Sequence, residues 1–194
     1  MRERLLLFGM FGGGLAVFIT VILVSQAREQ RAAEATPYLV PGSPAMTINM
    51  AQELYSTLTP ALLLVIYDAF DKKQEDEIYD TLARVTHGDA LEYLYLERVG
   101  AMAGGGIEEQ DQTIHEINLL DTRVDRVETA LLISSTWQVI GTVGHSEHLH
   151  VRGNTYSADL TISPVEGAWR ITDFELLDVD RDTAGEIFPA SDEH

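Results

Sequence analysis

The amino-acid sequence predicts an α+β domain that follows an N-terminal transmembrane helix, with its helices packed on one face of a curved antiparallel sheet. Three features support this fold class. An uncharged apolar stretch opens the chain, apolar residues between Met46 and Met102 recur at helical spacing, and beyond Ile107 they alternate with a period of two. Helices followed by a run of strands are typical of an α+β domain, in which the helices gather on one face of the sheet.

The apolar stretch Leu5–Val24 contains no charged residue and has arginines on both sides. About 20 helical residues span about 30 Å, which is the hydrocarbon thickness of a bilayer. We therefore expect residues 1–27 to form a short tail and a single-pass helix in a bacterial inner membrane, with the C-terminal domain in the periplasm. A cleaved signal peptide is the alternative, because Ser25-Gln26-Ala27 has the small residues that cleavage requires.

Glycines give the predicted membrane helix a surface of small residues. Gly9 and Gly13 form a GxxxG motif, and Gly12 and Gly14 add to the same small-residue patch. Because such a patch lets a second helix approach closely, homodimerisation through Gly9 and Gly13 is an expectation.

A linker and a group of helices are predicted to follow the membrane segment. Residues 28–45 contain Pro37, Pro41 and Pro44 without periodicity, which is typical of a linker. Thr59-Pro60 has the residues of a helix N-cap and first turn, and the residues after it are apolar on nearly every face, as in a buried helix. The predicted helices are Met46–Leu58, Ala61–Phe70, Gln74–Thr86 and Asp89–Met102.

The C-terminal part of the domain is predicted to be a meander of strands. Its β-branched and aromatic residues alternate with polar ones, and turn residues separate the segments. Turns are expected at Asp121-Thr122-Arg123, Gly144 and Glu166-Gly167, and an acidic tail of residues 182–194 follows a domain of residues 46–181. The predicted strands are Ile114–Leu120, Val127–Val143, Glu147–Val165 and Ala168–Val179.

The order of these elements resembles a known superfamily. The helical strings Ile66–Phe70 and Ile78–Ala83 precede long strands that contain Trp137–Val143, Glu147–Val165 and Trp169–Leu177. Over Met46–Asp180 this order is similar to the nuclear-transport-factor-like superfamily, which includes ketosteroid isomerase and SnoaL-type cyclases. The resemblance implies a cone-shaped domain whose sheet curls around its helices.

The overall architecture resembles a second group of proteins. A membrane anchor, a short linker and a cone-shaped domain are similar to the periplasmic assembly proteins of type IV secretion systems. This resemblance implies that the partners are other membrane or periplasmic proteins.

The charge and the residue types exclude several functions. The chain has 31 acidic residues against 13 basic ones, a formal net charge of −18, which repels phosphate backbones. It has no cysteine, so disulfides, thiolate nucleophiles and cysteine-type zinc sites are excluded. We therefore expect no nucleic acid among the partners.

The most informative polar segment is the predicted strand Glu147–Val165. If this strand has no bulge, alternation places His148, His150, Arg152 and Asn154 on the same face as Tyr156 and the apolar residues after it. The polar end of this face would then lie at the mouth of a cavity or beside it. These residues are the candidate ligand-binding or partner-binding site.

The same strand offers candidate metal ligands. His148 and His150 lie about 6–7 Å apart along a strand, and a turn at Gly144 brings His145 or Glu147 near them. Imidazole is a ligand that zinc, nickel or copper accepts, so His145, His148 and His150 are a candidate site for a divalent metal. An ordinary hydrogen-bonded polar face that contacts a partner is the alternative.

Catalysis would require a general base beside an apolar cavity. The superfamily resemblance implies a carboxylate paired with an acidic hydroxyl or a neutral carboxyl, as in ketosteroid isomerase. The candidates are Asp68 and Tyr67 on the buried helix and Asp159 and Tyr156 on the long strand. Asp68 is expected near the helix end in solvent, and Asp159 alternates outward from Tyr156, so no catalytic residue is assigned.

The sequence therefore favours a non-catalytic, membrane-anchored periplasmic module that takes part in the assembly of an envelope complex. A periplasmic domain that binds a small ligand or a metal through the histidine-rich strand is the alternative. An enzyme of the isomerase or cyclase type comes third.

Overall fold

The computed structural model describes residues 28, 31–32, 34–103, 111–145 and 148–180, without the side chains of 111–113, 143–145 and 148–152. The chain divides into two units between Thr36 and Pro37. In the first unit the described residues up to Ala35 are helical, and the Thr36 hydroxyl donates a hydrogen bond to the Ala32 carbonyl at 2.8 Å.

The predicted membrane span Leu5–Val24, with Gly9 and Gly13, lies outside the described residues. Among the residues that are described, no helix has both the length and the apolar character that crossing a bilayer requires.

The second unit is an α+β domain with helices on one face of a curved, mostly antiparallel sheet, as predicted. Its strands lie in the order β2-β1-β6-β5-β4-β3, and β1 is parallel to β6. The helices are α1 (Ile48–Glu53), α2 (Tyr55–Asp71), α3 (Glu75–Leu82) and α4 (Asp89–Ala103). The strands are β1 (Tyr38–Val40), β2 (Ser43–Met46), β3 (Asp111–Val127), β4 (Ala130–His145), β5 (His148–Val165) and β6 (Ala168–Asp180).

The core lies between the helices and the face of the sheet that they cover, which we call the inner face. Alternate residues of each long strand point to this face, and the apolar side of α2 packs against them. Trp137 and Trp169 are both fully buried there, and the Trp169 indole N–H donates to the Met46 carbonyl at 3.0 Å. Other buried members include Leu58, Leu62, Ile66, Leu82, Leu94, Ile133, Leu160, Ile162 and Ile171.

The segment predicted to be a linker ends earlier than expected. Its residues 38–46 form the hairpin of β1 and β2, and the Leu39 amide donates to the Gly167 carbonyl at 2.9 Å. Pro41 and Gly42 make the turn, and Gly42 has a φ of 66°, which favours glycine. Strands of three and four residues are too short to show alternation, so proline and glycine indicated a linker instead.

The predicted start of the buried helix at Thr59-Pro60 is wrong. Helix α2 begins at Tyr55, and Pro60 lies inside it. Pro60 lacks a backbone N–H, so the helix loses one of its hydrogen bonds there. Pro60 is close to the N-terminal end, where the first four amides have no partner within the helix. The prediction that this helix is buried holds for the side with Leu62, Leu63 and Ile66, whereas Leu64 on the other side is 41% exposed.

Two of the predicted turns are also wrong. Strand β3 continues through Asp121-Thr122-Arg123, and the chain turns instead at Glu128, where φ is 55°. Asp121 and Arg123 are exposed at alternate positions of the strand, and the half-buried Thr122 between them hydrogen-bonds to Ser135 at 2.8 Å. Strand β4 likewise continues past Gly144 to His145. The turn at Glu166-Gly167 is where it was predicted, and both residues have the positive φ of a tight hairpin.

Candidate functional site

An apolar cleft opens on the inner face of the sheet between α2 and α4, and we call it the aromatic cleft. Its volume is about 130 Å³. The lining side chains are apolar or aromatic, with the carboxylate of Glu97 as the exception. They are Leu63, Ile66, Tyr67, Phe70, Tyr93, Leu94, Glu97, Trp137, Tyr156, Phe174 and Leu176.

The inner wall of the cleft is a group of aromatic rings in mutual contact. The Trp137 and Tyr156 rings are cross-strand neighbours on β4 and β5 and stack with centroids 6.0 Å apart. The Tyr67 ring from α2 lies 6.1 Å from Tyr156, and the Tyr67 hydroxyl accepts a hydrogen bond from the Trp137 indole N–H at 3.1 Å. The contacts between strand and helix fix the position of this wall, because each ring restricts the next.

The opposite wall joins α4 to β6. The Tyr93 ring stacks on Phe174 with centroids 6.0 Å apart and an interplanar angle of 24°. Tyr93 on α4 is 41% exposed, and Leu176, which is on β6 with Phe174, is 39% exposed. The cleft is therefore open to solvent on this side, with apolar side chains at its rim.

The Tyr67 phenol stays neutral at physiological pH. Burial raises its pKa well above the ordinary value for tyrosine, and the neighbouring Tyr156 raises it further, while the hydrogen bond from Trp137 opposes the shift. The neutral phenol accepts the indole hydrogen bond and so connects α2 to β4 at this wall.

The structure places the predicted binding residues along one strand, with Tyr156 in the cleft. Strand β5 pairs with β4 without a register shift from Ile162 to His148, so positions 148, 150, 152 and 154 have the same parity as Tyr156. Asn154 is half-buried. The side chains of His148, His150 and Arg152 lie outside the described part, so the role predicted for them stays a prediction.

The candidate metal ligands lie at the end of the β4–β5 hairpin. The backbone positions of His145 and His148 are directly opposite each other, and His150 follows two residues further along β5. Their side chains are not among those described. Elsewhere in the described chain, no group of three or more His, Cys, Asp or Glu residues is placed to hold a metal ion.

The candidate catalytic carboxylates do not line the cleft. Asp68 forms an ion pair with Lys72 at 2.8 Å, and its side chain is 52% exposed. Asp159 is exposed and lies on the side of the sheet away from the helices, which we call the outer face. Glu97 lines the cleft but is exposed on α4.

The outer face carries a shallow trough of a different character. Its volume is about 370 Å³, and carboxylates, hydroxyls and one guanidinium line it together with the exposed Leu132 and the buried Ile133 and Leu160. Arg123 donates to Asp125 at 2.9 Å, and both side chains are largely exposed. The trough is lined by Arg123, Asp125, Leu132, Ile133, Ser134, Asp159, Leu160, Thr161, Asp173 and Glu175.

Sequence reasoning missed the residues of α4 and β6 that complete the cleft. Helix α4 has apolar residues on both sides, which leaves Tyr93 and Leu96 exposed where an amphipathic helix would carry polar residues. On β6 the neighbours Leu176 and Leu177 interrupt the alternation, and the structure has a register shift there. Both irregularities are visible in the sequence and indicate apolar surface outside the core.

Comparison with known proteins leaves the family open. No protein-family model matches this chain, and no curated protein does so either. Among solved structures, the crystal structure of the intermembrane-space region of the chloroplast protein ARC6 matches 69% of this chain and 98% of that chain, with 20% identity and a TM-score of 0.43. A similarity of this size supports no conclusion about function, so membership of the nuclear-transport-factor-like superfamily stays a prediction.

Proposed function

We propose that this protein is a non-catalytic, membrane-anchored periplasmic module of an envelope complex, and that it binds a partner protein through the aromatic cleft. The observation that carries the proposal is an open cleft, lined almost wholly by carbon, whose rim exposes further apolar side chains. Anchoring two proteins in one membrane raises their effective concentration, so a contact of modest affinity is sufficient.

The volume of the cleft favours a side chain of a partner over a small-molecule ligand. Pockets for small molecules usually measure about 300–1,000 Å³. A closed apolar cavity of about 150 Å³ holds one benzene molecule. At about 130 Å³ the aromatic cleft therefore has room for a single large side chain.

The rim supplies the surface that surrounds such an anchor. Tyr93 on α4 and Leu176 on β6 both line the cleft and are both exposed. Protein interfaces commonly place an anchor residue in a pocket and surround it with near-neutral contacts that exclude water. The cleft and its rim together have this arrangement.

The edge of β6 beside the cleft is protected against the addition of a strand. On this side of β6, β1 pairs at Ala168 and Thr86 forms a bridge with Ile171. C-terminal to Ile171, no described strand pairs with this side. The amides of Phe174 and Val179 donate to the side chains of the preceding aspartates at 3.0 and 2.9 Å, and β6 has two register shifts. Bulges are a device that prevents edge pairing, and an amide that already donates to a side chain is not available to an added strand. Docking through a side chain is therefore the mode that this surface supports.

The test compares two exposed leucines on opposite faces of the same sheet. Leu176 lines the cleft and is 39% exposed, and Leu132 lines the outer trough and is 41% exposed. The full-length chain is purified from its native membrane in mild detergent, and associated proteins are quantified by mass spectrometry. We expect a stoichiometric partner with the wild type and with Leu132→Lys, and its loss with Leu176→Lys.

Other outcomes of the same experiment favour other functions. A partner that Leu176→Lys retains would contradict docking at the cleft. Recovery of the protein alone with a bound metal or small molecule would favour the alternative function. In that case, zinc titration of a variant in which His145, His148 and His150 are replaced by alanine would test the histidine-rich strand directly.

A further inference from the structure

The aromatic cleft has the composition of a site for a cation. Rings of Tyr67, Phe70, Tyr93, Trp137 and Tyr156 line it together with Phe174. The faces of aromatic rings carry partial negative charge and attract a cation within about 6 Å of the ring centroid. A purely aliphatic pocket of the same size would lack this attraction.

Charge around the cleft favours the same ligand. Glu97 is the acidic residue among the lining side chains, and neither lysine nor arginine is among them. The whole chain has a net charge of −18, so its field draws cations towards its surface. A ligand that carries a positive charge is therefore complementary both to the cleft and to the surrounding potential.

We infer that the anchor side chain which the cleft receives is an arginine of the partner protein. This inference rests on the proposed function and specifies the chemistry of the partner. The guanidinium stacks against the aromatic walls, and its N–H groups reach the carboxylate of Glu97 at the mouth. The alkyl part of the side chain contacts the apolar rim.

Arginine fits this cleft better than lysine does. An ammonium group is strongly hydrated and needs three hydrogen-bond acceptors, whereas the walls offer almost none. A guanidinium is more weakly hydrated, stacks on aromatic faces and presents a planar pair of donors to one carboxylate. Removing water from the cation therefore costs less free energy for arginine than for lysine. Glu97 is the lining carboxylate that can accept hydrogen bonds from the guanidinium.

The test uses the indole N–H of Trp137 as a reporter. The chain has two tryptophans, so the full-length protein labelled with ¹⁵N-tryptophan gives two indole signals. Trp137 lines the cleft, and Trp169 is buried against Met46 and serves as the reference. The protein in mild detergent is titrated with acetylated Gly-Arg-Gly amide and with the same peptides containing citrulline or lysine. Citrulline is the neutral analogue of arginine and has nearly the same shape.

We expect the arginine peptide to shift the Trp137 signal and leave the Trp169 signal in place. Its affinity should exceed that of the citrulline and lysine peptides by at least about fivefold. Glu97→Gln should remove most of that preference, whereas Glu175→Gln in the outer trough should preserve it. Both variants change an exposed carboxylate, so neither should disturb the core. An unchanged Trp169 signal in each variant verifies that the fold is retained.

Three results would overturn the inference. These are equal affinity for arginine and citrulline, no movement of the Trp137 signal, and an arginine preference that Glu97→Gln does not alter. Each leaves open whether an apolar side chain of a partner occupies the cleft, since partner loss with Leu176→Lys is measured separately. A failed inference is thus distinguishable from a failed proposed function.

Discussion

The two faces of the sheet are made by alternate residues of the same strands, yet they differ in almost every property. On the inner face Ile133, Trp137 and Leu160 are buried against helices, and the part that the helices leave uncovered is the aromatic cleft. On the outer face Ser134 and Asp159 line an open acidic trough. The inner face therefore supplies both stability and the proposed binding site, while the outer face contributes solubility and charge.

The largest difference between the faces is expected for two neighbours on β4. Ile133 is 1% exposed on the inner face, and Leu132 is 41% exposed on the outer face. Ile133→Ala should lower the free energy of unfolding by about 2–5 kcal/mol, because it leaves a cavity in a packed core. Leu132→Ala should change it by about 0.5 kcal/mol or less. Urea unfolding measures both, and equal losses would contradict the assignment of the faces.

A smaller difference is expected for hydrogen bonds on the two faces. Tyr67→Phe removes the acceptor of the buried Trp137 indole N–H and should cost about 1–3 kcal/mol of unfolding free energy. Thr136→Val removes a hydroxyl that bonds to Ser157 at 2.8 Å, but water reaches this half-buried pair on the outer face. Its cost should stay below about 1 kcal/mol, because water replaces the lost bond. If Thr136→Val costs as much unfolding free energy as Tyr67→Phe, the hydrogen-bonded groups of the two faces are equally shielded from water.

Alkaline pH should weaken the inner face through Tyr67. Its pKa is raised by burial in the folded chain, so the unfolded chain loses the phenol proton first, at a pH of about 10. Stability from this group is complete below that pH and falls above it by about 1.4 kcal/mol per pH unit. Chemical unfolding between pH 8 and about pH 11 should show a smaller alkaline loss for Tyr67→Phe than for the wild type.

Tyr95 and Lys72 also have raised pKa values, by burial near Glu75 and by the hydrogen bond to Asp68 respectively. They contribute equally in the wild type and in Tyr67→Phe, so the difference between the two proteins reports Tyr67 together with its coupling to Tyr156. Identical slopes would show that Tyr67 ionises as readily in the folded chain as in the unfolded one.

The smallest effect is expected when the outer trough is neutralised. The triple variant Asp159→Asn, Asp173→Asn and Glu175→Gln should change the unfolding free energy by about 0.5 kcal/mol or less, because these carboxylates are exposed. Any change should be a gain in stability at low salt that disappears at high salt. The carboxylates repel one another most strongly when salt does not screen their charges. A clear loss of stability would show that the trough has a structural role.

The sequence was sufficient for the elements whose periodicity is long and regular. Helix α2 buries most of its apolar residues, and β5 keeps one register with β4 along its length, so the parity of Asn154 and Tyr156 follows from their spacing. The hairpin of β1 and β2 was not predictable, because its strands are too short to show a pattern.

The cleft could be predicted only in part, because it depends on contacts between distant residues. Trp137 and Tyr156 were recognisable as members of neighbouring strands. Their meeting with Tyr67, and the stack of Tyr93 on Phe174, depend on how α2 and α4 pack on the sheet. Periodicity indicates which residues share a face, but it does not determine which faces meet or where a face is left open.

The most direct test of the proposed docking site is photo-crosslinking in the native membrane. A benzoylphenylalanine placed at Tyr93, on the rim of the cleft, is compared with one placed at Leu132 on the outer face, where exposure is the same at 41%. Docking at the cleft predicts one discrete crosslinked partner from position 93 and none from position 132. A partner captured from position 132, or from neither position in a membrane where the complex is intact, would contradict it.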